Sequence, residues 1–112
     1  MIARIWRGWT TRDNADAYEG LLRDEVFPWI LAKDIAGFRG IDLLRRDAGV
    51  EIEFITNMTF DSLAAVEAFA GPVHTTSVVL PKARALLARF DAHSTHHEIV
   101  ERRIASAPTP KV

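Results

Sequence analysis

The chain contains no cysteine, which excludes a disulfide framework, thiol catalysis and thiolate metal sites together. It also lacks any excess of charge, since 14 Lys and Arg against 15 Asp and Glu leave a formal net charge of -1. That balance offers nothing for nucleic acid or an anionic lipid surface to hold, so neither is expected as a partner. The opening MIARIWRGW alternates instead of forming a continuous apolar run, and no small-residue cleavage site follows. A signal peptide is therefore not expected, and a cytoplasmic address follows by default. Internal repeats and linkers are absent too. What is present, 48% hydrophobic and 26% charged residues in 112 positions, describes one globular domain rather than a disordered, fibrous or membrane protein. At that size folding buries roughly two-thirds of the surface of the unfolded chain, enough for one core without staples. The expected domain covers residues 1–103, followed by a disordered tail over 104–112 that ends ASAPTPKV.

The strongest local signal is VEIEFITNMTFDSLAAVEAFAG, from Val50 to Gly71. Its first half alternates Ile52, Phe54, Thr56, Met58 and Phe60 against Glu51, Glu53, Ile55, Asn57 and Thr59, the period of a half-buried strand. The second half is a helix over Ser62 to Ala70, with Asp61 as N-cap and Gly71-Pro72 as its stop. Upstream, Ile2 to Trp9 reads as a strand carrying large apolar groups on both faces. Asp13 then caps a helix whose stripe is Ala15, Tyr18, Leu22, Val26 and Trp29, and Pro28 kinks or ends it. Gly37 precedes a second strand, Phe38 to Arg46. Downstream, Val73 to Val79 has no clear period. A further helix has the stripe Ala83, Leu86, Leu87 and Phe90, and a last strand spans about Ser94 to Glu101.

Asp47-Ala48-Gly49 between the two middle strands matches a three-residue hairpin loop closed by a left-handed Gly. Pairing outward from Arg46 with Val50 sets Asp42 opposite Phe54 and Phe38 opposite Met58. The core face of the hairpin then holds Phe38, Asp42, Leu44, Val50, Ile52, Phe54, Met58 and Phe60. The strand and helix order βαββαβ folds most simply as a ferredoxin-like α+β domain, an antiparallel sheet with its helices on one face. On the bare face, Ile41, Leu43 and Ile55 with either Trp6 or Trp9 form an apolar patch, which is the reason to expect a homodimer packed sheet to sheet.

The segments ARIWRG, Val-Phe-Pro-Trp, Gly37 with LLRR, Phe60-Asp61-Ser62-Leu63, AFAG and HHEIV resemble the antibiotic biosynthesis monooxygenase family over roughly Met1 to Glu101. The resemblance implies a dimeric α+β barrel with a pocket between helices and sheet in each subunit. It further implies a small hydrophobic or aromatic ligand and, in some members, oxidation of aromatic polyketides by dioxygen with no bound cofactor. Other relatives degrade haem. The chain departs from the family at Phe60, where members usually carry Trp, and at Thr56, where the polyketide oxygenases place Asn. The first-strand Asn of the haem degraders falls near Arg7, their second-helix Trp near Phe69, and His74 stands several residues before the position of their His.

Candidate chemistry follows from these residues. Asp42 on an apolar face is a pocket acid or base, unless a bulge turns it outward or Arg7 or Tyr18 pairs with it. Arg7 and His74 are the candidates to stabilise an anionic substrate. Trp9, Tyr18, Trp29, Thr56, Phe60 and Phe69 are the candidate pocket walls, or else plain core. No metal site is expected, because His93 and His97 on one strand face would lie ~13 Å apart and His96 would point the other way. No tightly held cofactor is expected either. A small monooxygenase and a non-enzymatic, ligand-binding or stress-related dimer both remain open.

Overall fold

A computed structural model describes residues 1–106. Five strands form one antiparallel sheet: β1 (Ile2–Thr11), β2 (Phe38–Ala48), β3 (Glu51–Phe60), β4 (Arg89–Phe90) and β5 (Thr95–Glu98). Their order is β2-β3-β1-β4, with β5 also paired to β1. This is the ferredoxin-like arrangement with its last strand in two pieces, since Phe90 pairs with Gly8 and His97 with Ala3 along the same edge of β1. The helices are α1 (Ala15–Leu21), α2 (Phe27–Ala32), α3 (Leu63–Ala70) and α4 (Pro81–Leu86), and the expected α+β fold is observed. Most of the expected tail, residues 107–112, lies outside the described residues.

Between α1 and α2 the chain does not break at Pro28. Residues Leu22–Val26 form a π-helical turn that joins the two helices. A proline lacks an N–H and crowds the carbonyl four residues back, so a locally widened helix absorbs it without ending the run. The α3 start is one residue later than expected: Ser62 is the N-cap, its Oγ accepting from Ala65 N at 3.2 Å. Asp61 instead takes both donors of Arg39, at 2.6 Å each. Gly71 ends the helix with φ of +87°, as its sequence position required. The second helical stripe stops at Leu86, and Phe90 belongs to β4.

The hairpin register differs from the expectation, and the difference moves Asp42. Ala48 pairs with Glu51, so the loop is the two-residue Gly49-Val50, with Gly49 at φ +85°. A positive φ at the first central residue alone is the type II′ turn, whose twist matches that of the flanking strands, and it outcompetes the three-residue loop. At the other end a bulge at Arg39 separates Phe38, opposite Phe60, from Gly40, opposite Thr59. Ile41 and Leu43 therefore join Phe38 on the helix face and pack against the core. Asp42, opposite Asn57, faces away from the helices, as does half-exposed Leu44. One extra residue in a strand exchanges its two faces, which is why strict alternation across Arg39 misassigned them.

Two groups of buried side chains fill the space between helices and sheet. One gathers Ala15, Tyr18, Leu22, Ile52, Phe54 and Ala83, and the other Ile30, Met58, Phe60, Ala65 and Val66. The Phe54 ring tilts against Tyr18 at 4.8 Å, and Phe60 sits between Phe38 and Phe69 at 5.3 and 6.0 Å.

Candidate functional site

A cavity separates the two core groups. Its floor is the helix face of the sheet, with Arg4 and Trp6 from β1 and Thr56 and Met58 from β3. Its roof is Tyr18, Leu22, Val26, Phe27 and Ile30, so the π-helical turn supplies two of the covering residues. Phe69 and Ser94 line it as well, and the segment Val78 to Leu80 closes one side. Its interior is about 60 Å³ measured at the centres of water molecules, several times the minimum that holds one water. Small Thr56 at the centre of the sheet and Gly8 beside Trp6 make that room. A Cβ on Gly8 would lie 2.8 Å from the Trp6 ring, so only glycine lets the indole lie flat over the strand. Trp6 is then fixed by its Nε1–H, which donates to Asp91 O at 2.7 Å.

The cavity holds one cation. Arg4 is 3% exposed and is the only buried basic residue among the described residues. Its guanidinium donates to the carbonyls of His74 and, at 3.1 Å, Thr76, and Nη1 donates to His96 Nε2 at 2.9 Å. Because an arginine only donates, His96 must accept through Nε2 and carry its proton on Nδ1. Burial lowers the Arg4 pKa to about 10, which leaves it charged at neutral pH. Burial also holds His96 below its usual value of 6.5, with Arg4, His74 and His97 adding repulsion. The His74 ring meets that of His96 edge to face at 5.2 Å. Its Nδ1 is buried without a hydrogen bond, 3.6 Å from Glu67 Oε1. Burial pushes the Tyr18 phenol up, so it stays protonated and can only donate to, or accept from, a ligand as a neutral hydroxyl.

Of the expected site residues, Tyr18, Thr56 and Phe69 line the cavity. His74 stands next to it, holding Arg4 through its backbone carbonyl. Phe60 is fully buried in the adjoining core. Trp29 is instead 39% exposed, with the Lys33 ammonium 4.2 Å from its ring. Arg7 and Trp9 lie on the opposite sheet face, because β1 pairs Gly8, not Arg7 or Trp9, with Phe54. There Arg7 binds Asp91 at 3.0 Å, and Trp9 is covered by the guanidinium of Arg89 at 3.8 Å. Asp42 shares that face. Sequence reasoning missed Arg4, although the signal was available: a lone charge between Ile2 and Trp6 on one face of a strand apolar on both sides.

No family model and no curated protein matches the sequence. Solved structures do. A candidate antibiotic biosynthesis monooxygenase from Bacillus cereus superposes with a TM-score of 0.67 over 96% of this chain and 98% of its own, at 12% identity. The chain has the antibiotic biosynthesis monooxygenase fold. Two further structures carry this fold with bound molecules. The heme-degrader of Mycobacterium tuberculosis, with two hemes in its active site, matches at TM-score 0.56 and 20% identity over 92% of this chain and 99% of that one. A Streptomyces coelicolor monooxygenase in complex with nanaomycin D matches at 0.53 and 12% over 96% and 92%. No helix among the described residues is long and apolar enough to cross a membrane.

Proposed function

We propose that this chain binds a small hydrophobic, aromatic molecule between helices and sheet and oxidises it with dioxygen, without a tightly held cofactor, as a member of the antibiotic biosynthesis monooxygenase family. The observation that carries this reading is the largely apolar, aromatic-lined cavity containing a single buried cation, Arg4. A methylene beside a carbonyl is acidic, and losing its proton gives an enolate. A cation already in place, in a medium of low dielectric, stabilises that anion without reorganising. Reaction of the enolate with dioxygen then converts CH2 to C=O and releases water, a balanced conversion that needs no outside reductant. No histidine or carboxylate among the described residues lines the cavity, so the proton leaves to water, and Arg7 and Asp42 face away from the cavity and take no part within a protomer. Haem is not part of this reading, because no histidine lines the cavity among the described residues to ligate its iron.

Oxygen uptake with a panel of single-ring aromatic ketones that carry a methylene beside the carbonyl tests the reading. Uptake matched by substrate loss, reduced at least about tenfold in Thr56→Leu and Arg4→Gln, supports it. Binding without uptake would favour the second reading, a non-enzymatic carrier, for which the small cavity speaks. The face away from the helices belongs to the same proposal. It shows Ile5, Leu44 and Ile55 among Arg and Glu. A second copy packed face to face would cover the open sheet.

A further inference from the structure

Arg4 differs from the other ion-pairing arginines in what it lacks. Arg7, Arg12, Arg39, Arg45 and Arg89 each hold a carboxylate at the surface, and the exposed Arg46 holds the buried Glu53. Arg4, the one that is buried, has no carboxylate within 4.0 Å among the described residues, and only neutral acceptors bond it. Burying a guanidinium without a counter-charge is costly, and carbonyl dipoles offset that cost in part. The bonding is also incomplete. Both hydrogens of Nη1 and one of Nη2 have partners, leaving Nε–H and one hydrogen on Nη2 unused. In this same molecule Arg39 grips Asp61 with those two nitrogens, Nε to one oxygen and Nη2 to the other. Around Arg4 the cavity adds the hydroxyl-bearing residues Tyr18, Thr56 and Ser94, and otherwise apolar walls of Trp6, Phe27 and Phe69.

We propose that the cavity is a carboxylate site: its ligand is a small organic acid with a one-ring or branched apolar body, entering as the anion and seated on the free edge of Arg4. The ligand supplies the counter-charge that the fold omits. Two parallel charge-assisted bonds fix the acid group, and the ring lies between Trp6 and the π-helical turn. His96 and the carbonyls of His74 and Thr76 position the guanidinium from behind, so it is preorganised for the anion. Bidentate geometry favours a planar carboxylate over a halide or a single phenolate oxygen. This deepens the proposed function by naming the substrate class of the same cavity, and it can hold even where the oxidation does not.

Equilibrium binding without oxygen separates the two. Benzoate and benzamide have the same shape and differ in charge, and Trp6 in the cavity wall reports occupancy by fluorescence, with calorimetry as a second measure. The expected result is benzoate binding at least about tenfold tighter than benzamide, with a rise in melting temperature on benzoate alone. Arg4→Gln should abolish that preference, and Arg4→Lys should restore it in part. Equal binding of the two probes, an undiminished preference in Arg4→Gln, or no binding of either to the wild type overturns the proposal. Should Arg4→Gln fail to fold, the probe pair on the wild type and on Arg4→Lys decides. Failure of the oxygenase reading would show instead as absent oxygen uptake with benzoate binding intact.

Discussion

The two faces of one sheet solve the problem of charge in opposite ways. On the face without helices, arginines are numerous and every one considered above has an acidic partner or an aromatic ring: Arg7 binds Asp91, Arg46 binds Glu53, and Arg89 lies over Trp9 while bonding Glu51. On the helix face a single arginine, Arg4, is buried among apolar side chains with no acid beside it. Exposed pairs gain little because water screens both charges, whereas an unpaired charge in the interior has strong fields around it. The first face is thus arranged for solvent or a second protein surface, and the second for an anion of its own.

The comparison can be broken at several points. The largest expected effect is Phe54→Ala on the helix face, where a fully buried ring against Tyr18 is removed. It should cost about 3–5 kcal/mol in denaturant unfolding, because the helix layer cannot collapse into the gap. Next comes Arg4→Gln, which leaves the His74 and Thr76 carbonyls short of a donor and should cost about 1–3 kcal/mol. A gain in stability on that change would mean that the buried charge is a burden the fold does not use. Leu44→Asp on the open face should leave the protomer folded but convert the proposed dimer to a monomer in analytical ultracentrifugation. A wild-type monomer at micromolar concentration would remove the dimer proposal. The smallest change is Arg7→Ala, whose partly exposed pair with Asp91 should be worth under about 1 kcal/mol.

A pH series sharpens the same contrast. The folded protein holds His96 below 6.5, so under that pH the unfolded chain takes up a proton that the fold refuses. Stability should therefore be full above 6.5 and fall as pH drops from there through the lower folded value. His96→Gln should flatten this limb in urea titrations between pH 7 and 5. A limb unchanged by that substitution would place the titrating group elsewhere.

Much of the architecture was readable in advance because it rests on local signals. Alternation marked β1 and β3, Gly71 marked the end of α3, and the βαββαβ order left one simple fold. Register was not readable, since two turn chemistries competed over Asp47 to Val50 and only pairing over the whole hairpin chose between them. The Arg39 bulge compounded this by exchanging faces, which turned Asp42 away and brought Ile41 inward. Three of the expected wall residues, Tyr18, Thr56 and Phe69, line the cavity, whereas Trp9 lies on the other face of β1 and Trp29 on the exposed side of α2.

By itself the sequence determined the element types, their order and the apolar stripes, because propensity, period and capping act within a few residues of each position. Tertiary structure alone decided which charge would be buried. Arg4 becomes a lone interior cation only when α1, the π-helical turn and the segment through Val78 to Leu80 close over β1. Burial and the absence of a partner are properties of what surrounds a side chain, and those surroundings come from residues as far away in the chain as Thr76 and His96.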